Sequence, residues 1–128
     1  MRGNQACSWF GIVCEASTPK HIIEITLNSN TLSGKLPVTL AQLTKIKTLA
    51  LIDNKITGTL PEALATRTDM QSFRMEKNQL QGVLPKEWST WTNLKRFYVS
   101  QNEIIGTLPK EWSSWENIQY FSVRDNHI

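Results

Sequence analysis

At 128 residues, with 14 Lys and Arg against 11 Asp and Glu and a net charge of +3, the chain has the size of one domain and is only mildly basic. Its basic residues are scattered, with Lys95-Arg96 the longest cluster, whereas a nucleic-acid footprint gathers them on one face. No run of about 20 apolar residues is present to span a bilayer, and residues 1–13 lack the charged start and apolar run of a secretory signal.

The first chemistry-bearing residues are Cys7 and Cys14. Seven residues apart, they are compatible with a disulfide, two free thiols or half of a metal site. No further Cys exists, and His21 and His127 lie near opposite ends, so nothing completes a zinc set. The sequence implies no metal and no cofactor.

From residue 21 a strict period takes over. Asn30, Asn54, Asn78, Asn102 and Asn126 stand 24 residues apart, which marks a stacked-repeat protein. Gly34, Gly58, Gly82 and Gly106 keep the same register, as do Leu36-Pro37, Leu60-Pro61, Leu84-Pro85 and Leu108-Pro109. Residues 21–128 thus hold four full units and part of a fifth.

Each unit opens on apolar residues eight, five and three positions before its Asn. They are Ile22, Ile25, Leu27; Ile46, Leu49, Leu51; Met70, Phe73, Met75; Leu94, Phe97, Val99; and Ile118, Phe121, Val123. The last two of each set differ by two, so both side chains face one side of a short strand. Stacked coil on coil, such strands predict a parallel sheet at about 4.8 Å spacing. The Asn side chain suits turn amides, and a column of them satisfies buried backbone from coil to coil. Gly gives freedom where the chain bends back, and Pro then fixes its own φ.

After Pro the apolar spacing becomes three, as in Pro37-Leu40-Leu43, Pro85-Trp88-Trp91 and Pro109-Trp112-Trp115. That spacing predicts a 3₁₀ turn on the convex side. The tryptophans occupy the columns of Leu40, Leu64 and Leu43, so they are read as core aromatics stacked between neighbouring coils rather than a carbohydrate platform. Arg67 breaks its apolar column, which means either a loose coil or an outward-snorkelling side chain. The fold class is an α/β repeat solenoid, with a parallel sheet on the concave face and 3₁₀ turns on the convex face.

Solenoids present binding surfaces on the concave side. The outward strand positions vary between units, and the richest patch comprises Arg74, Glu76, Arg96, Tyr98, Tyr120 and Arg124. Tyr and Arg are enriched among interface hot spots, so these six form the candidate ligand-binding set. Catalysis has weak support. Glu87 and Glu111 fall one coil apart, but Lys86 and Lys110 stand beside them and no nucleophile–base set is present.

The strand-to-Pro signature Leu49-x-Leu51-x-x-Asn54-x-Ile56-x-Gly58-x-Leu60-Pro61 resembles the plant-type leucine-rich repeat. Cys7-Ser8-Trp9-Phe10-Gly11-Ile12-Val13-Cys14 is similar to the end of that class's N-terminal cap, Cys-x-Trp-x-Gly-Ile/Val-x-Cys. This resemblance implies a Cys7–Cys14 disulfide, Trp9 packed over the open sheet edge, and residues 1–20 as the remnant of the cap. A structural disulfide in turn implies an oxidising compartment, at the cell surface or outside the cell.

Leu84-Pro85-Lys86-Glu87-Trp88-Ser89-Thr90-Trp91 and Leu108-Pro109-Lys110-Glu111-Trp112-Ser113-Ser114-Trp115 resemble, more narrowly, repeats of the trypanosomatid promastigote surface antigen family. That resemblance implies a non-enzymatic protein binder, secreted or held at the membrane by a glycolipid anchor outside this chain. Its implied partners are host-cell receptors or complement components. The alternative is part of a plant-type receptor ectodomain or inhibitor regulating a separate catalytic activity. The absence of Asn-x-Ser/Thr sequons leans toward the surface antigens. The missing cap helices and the stop at Ile128 in mid-repeat lead us to expect a fragment of a longer protein.

Overall fold

A computed structural model describes residues 5–128; the first four residues of the expected cap segment lie outside the described residues. The described residues form five 3₁₀ turns, the first at Gln5–Ser8, and eight short strands. In chain order they are β1 (Ile12–Cys14), β2 (Ile22–Thr26), β3 (Ser33–Lys35), β4 (Thr48–Ala50), β5 (Lys55–Thr57), β6 (Ser72–Arg74), β7 (Arg96–Tyr98) and β8 (Tyr120–Ser122). Turns at Val38–Gln42, Glu62–Thr66, Lys86–Thr90 and Lys110–Ser114 each follow a proline, as the spacing of three requires.

The main sheet runs β1-β2-β4-β6-β7-β8. Leu49 pairs with Phe73, Phe73 with Phe97 and Phe97 with Phe121, so the sequence period is the sheet register. Leu49, Phe73 and Phe97 are buried, whereas Phe121 is exposed because the last coil has a described neighbour on one side only. No helix among the described residues is long and apolar enough to cross a membrane.

The first strand corrects one expectation. β1 runs antiparallel to β2 and itself covers that edge of the sheet, with Val13 opposite Glu24. Trp9 does not pack over the edge as expected: it is 55% exposed, and Phe10 is 83% exposed. A backbone strand satisfies the edge's unpaired N–H and C=O groups, which an indole ring cannot do.

Side-chain hydrogen bonds of the later asparagines run from coil to coil, whereas the expected ladder does not include the side chain of Asn30. Asn78 Nδ2 donates to Leu51 O at 2.9 Å and Met75 O at 3.1 Å, while its Oδ1 accepts from Ile56 N at 3.0 Å. Asn102 repeats this on Met75 O, Val99 O and Leu80 N, and Asn126 on Val99 O, Val123 O and Ile104 N. Each amide therefore ties four backbone groups across neighbouring coils, the fourth being the carbonyl two residues before it. Asn30, on the first coil, is exposed and its side chain donates only to Asn28 O.

Sequence reading did not reveal the residue before each Asn. Ser29, Asp53, Lys77, Gln101 and Asp125 all hold φ between 52° and 59°, the left-handed region. Such residues cost energy when they are not Gly. Here the same bend aims the N–H of Asp53 at Glu76 O (2.9 Å) and that of Gln101 at Arg124 O (2.9 Å). Also unforeseen is a second small sheet, β3 with β5, continued by bridges Val83–Ile105 and Ile105–His127. Its residues show no apolar alternation; coil stacking brings their backbones into pairing distance.

Gly82 lies in this stretch at φ 76°, and a Cβ there would meet Thr59 Cγ2 at 2.8 Å. Glycine is needed both for the bend and for the approach of the previous coil.

The tryptophans are core residues, with a correction to how they stack. Stacking occurs within a coil, Trp88 on Trp91 at 4.1 Å and Trp112 on Trp115 at 4.0 Å. Against the strand aromatics they pack edge-on, as Trp88 does on Phe73 at 4.9 Å. Coils are joined instead by the indole N–H groups. Trp88 donates to Pro61 O (3.0 Å), Trp91 to Leu64 O (3.0 Å), Trp112 to Pro85 O (2.9 Å) and Trp115 to Trp88 O (2.9 Å). Arg67 snorkels: its Nε donates to the exposed Thr66 hydroxyl at 3.3 Å while its backbone N–H keeps the turn bond to Leu64 O.

Candidate recognition face

Two cross-strand columns build the outward face of the main sheet. One runs Thr48, Ser72, Arg96, Tyr120 and the other Ala50, Arg74, Tyr98, Ser122. In the early coils the columns begin with Glu24 beside Thr48 and Thr26 beside Ala50, with Ile52 following. The three later coils carry the arginines and the rings.

Arg74 is the organising residue. Its Nη2 and Nε donate to Glu76 Oε2 at 2.6 and 3.2 Å. Residues two apart leave a strand on the same side, so this pair forms along one coil. Arg74 Cζ also lies 4.5 Å from the Tyr98 ring centre in the next coil. An exposed cation–π contact is worth about 0.5–1 kcal/mol, and the ion pair adds a similar amount. Glu76 is buried, and its Oε1 has no hydrogen-bond partner among the described residues.

Arg96 repeats the motif one coil later, its Cζ 5.4 Å from the Tyr120 ring. It differs in one respect: no carboxylate pairs with it among the described residues. Arg124 meets Asp125 Oδ2 at 3.6 Å with both side chains largely exposed, a contact of small energy. The face therefore presents one neutralised arginine, one free arginine, two tyrosine rings and a screened arginine at its end. All six expected residues lie on this side of the last three coils. The arginine-over-tyrosine contacts were not foreseen, although each pair stands one 24-residue period apart.

At the other end Cys7 and Cys14 are joined in a disulfide. Beside it, His21 Nδ1 donates to Glu15 Oε1, and this bond lowers the Glu15 carboxyl below the usual carboxylate range. Among the described residues no group of three His, Cys, Asp or Glu is placed to hold a metal.

The Leucine Rich Repeat family model matches residues 93–115, the coil that carries Arg96 and Tyr98. Solved structures extend the likeness along the chain. A chain of the BIR3–SERK2 complex from Arabidopsis thaliana superposes with a TM-score of 0.89 at 23% identity, over 94% of this chain and 64% of that one. The fold is a leucine-rich-repeat solenoid. The BIR2 ectodomain from Arabidopsis thaliana gives a TM-score of 0.89 at 26% identity, over 94% of this chain and 63% of that one. The ectodomain of the Arabidopsis receptor kinase HAESA, solved with an IDA peptide hormone ligand, gives 0.84 at 27% identity, over 94% of this chain and 20% of that one. This repeat array thus spans less than two thirds of each. A comparison with curated proteins finds no match.

Proposed function

We propose that the chain is a non-catalytic protein-binding module, displayed on a cell surface or secreted, that engages its partner through Arg74, Glu76, Arg96, Tyr98, Tyr120 and Arg124. The observation that carries this reading is the contrast between columns. Inner positions stay apolar in every coil, whereas the outward ones turn to Arg and Tyr in the last three. The tyrosines hold both guanidinium groups in place, and rigid amphipathic anchors lose little entropy on binding. The disulfide favours an oxidising location.

Within this reading, a surface-antigen-like role with host receptors or complement as partners rests on the two Leu-Pro-Lys-Glu-Trp repeats. The plant-receptor alternative draws on neighbours such as HAESA, whose structure holds a peptide hormone. The test is a binding selection from displayed extracellular proteins of both kinds of source. Partners that the Arg96→Ala/Tyr98→Ala variant fails to hold, at unchanged melting temperature, support the reading. Partners that bind both forms equally contradict it.

A further inference from the structure

On the side away from the concave face, an open groove of about 1120 Å³ crosses the Leu-Pro bends of three coils, Leu60-Pro61, Leu84-Pro85 and Leu108-Pro109, with Val38 of the first coil at its end. Apolar side chains stand exposed along it: Val38 is 63% exposed, Val83 59% and Leu108 51%. Its charged residues, Glu62, Lys86, Glu87, Lys110 and Glu111, form no ion pair with any described residue. Exposed apolar residues rimmed by polar ones are the form that interaction sites take.

The order of those charges selects the partner. The residue after each proline reads Val38, Glu62, Lys86, Lys110 along the coils, and the next reads Thr39, Ala63, Glu87, Glu111. In a two-fold contact, residue i meets j while j meets i. Set two copies antiparallel, with the axis between the second and third coils. Glu62 then faces the partner's Lys86, twice by symmetry. Glu87 falls opposite Ala63, Lys110 opposite Val38 and Glu111 opposite Thr39, so no like charges meet. A parallel arrangement would set Lys86 on Lys86 and Glu87 on Glu87, a costly juxtaposition.

We propose that this groove is a self-association surface, in which the Leu-Pro ridge of one copy enters the groove of a second, antiparallel copy and Glu62 pairs with the partner's Lys86. Three coil spacings of about 4.8 Å give a contact shorter than that of a standard interface of about 800 Å² per partner, so the dimer is a weak one. It also weakens as salt rises.

Sedimentation equilibrium of the full chain up to about 1 mM tests this. Wild type shifts toward dimer with concentration, and Glu62→Lys and Lys86→Glu each lower the association constant about tenfold or more. Equimolar mixing of the two variants restores dimer, because each heterodimer then holds two opposite-charge pairs. Misfolding cannot produce that restoration. A wild type that stays monomeric, single variants that associate like wild type, or a mixture that stays monomeric each overturns the proposal.

Discussion

Arg74 and Tyr98 are cross-strand neighbours in adjacent coils, with the guanidinium carbon 4.5 Å from the ring centre. Arg96 and Tyr120 repeat the relationship at 5.4 Å, but only Arg74 also holds a carboxylate. The two arginines therefore do different work. Arg74 donates to Oε2 of the buried Glu76, while Arg96 is held in place with its charge free.

The stability cost of removing each arginine separates these roles. Arg74→Ala leaves a buried carboxylate without its donors and costs about 2 kcal/mol, discounted because the guanidinium is partly exposed. Arg96→Ala costs less than about 1 kcal/mol. Adding Glu76→Gln to Arg74→Ala recovers part of the loss. Urea melts of the three variants check this, and equal costs for the two arginines would contradict the assignment.

The asparagine ladder gives a second, larger contrast. Asn78→Ala removes four buried side-chain bonds, to Leu51 O, Met75 O, Ile56 N and, at 3.3 Å, Glu76 O, at a cost of about 3 kcal/mol. Asn30→Ala, on the exposed first coil, costs less than about 1 kcal/mol. Denaturant unfolding followed by far-UV circular dichroism measures both. Similar costs would mean that the ladder does not bind the coils together.

These ladder contacts were legible in the sequence because a single residue type at a fixed period has a single physical task. The inner apolar columns, the Leu-Pro bends and the 3₁₀ turns were legible for the same reason. The left-handed residues Ser29, Asp53, Lys77, Gln101 and Asp125 escaped because they share a conformation but no side-chain chemistry. The β3–β5 pairing escaped because backbone groups, not a hydrophobic pattern, make it. On the outward face the six residues were singled out by their variation from coil to coil. Which arginine is neutralised depends on the Arg74–Glu76 geometry, which spacing alone does not fix.

Indole nitrogens join the convex turns. Trp88→Phe keeps an aromatic ring against Phe73 but removes the indole donor to Pro61 O, which retains only the turn bond from Leu64 N at 3.2 Å. The expected loss is about 2–3 kcal/mol from the unmade bond and the smaller ring. Trp88→Leu, which matches Leu64 of the previous coil, loses more because the stack on Trp91 also goes. Thermal melts of the two variants check the order; a Trp88→Phe variant as stable as wild type would remove the indole bond from the account.

Acid acts on the cap through Glu15. Its carboxyl is held below the ordinary range chiefly by the bond from His21, so the native state favours the ionised form. The resulting stabilisation is present above the unfolded-state value of about 4.3 and is lost as pH falls through the lower folded-state value. Glu15→Gln is therefore less stable than wild type near neutrality, and the gap closes in acid. Melting temperatures across this range test the sign, and a gap that widens on acidification would contradict it.

The most direct test of the central claim compares binding by wild type, Arg96→Ala/Tyr98→Ala and the off-face control Glu103→Ala against one panel of displayed extracellular proteins. The account predicts partners held by wild type and by Glu103→Ala but lost, by tenfold or more in affinity, in the double variant at equal melting temperature. Partners held equally by all three proteins would place recognition elsewhere on the solenoid and contradict it.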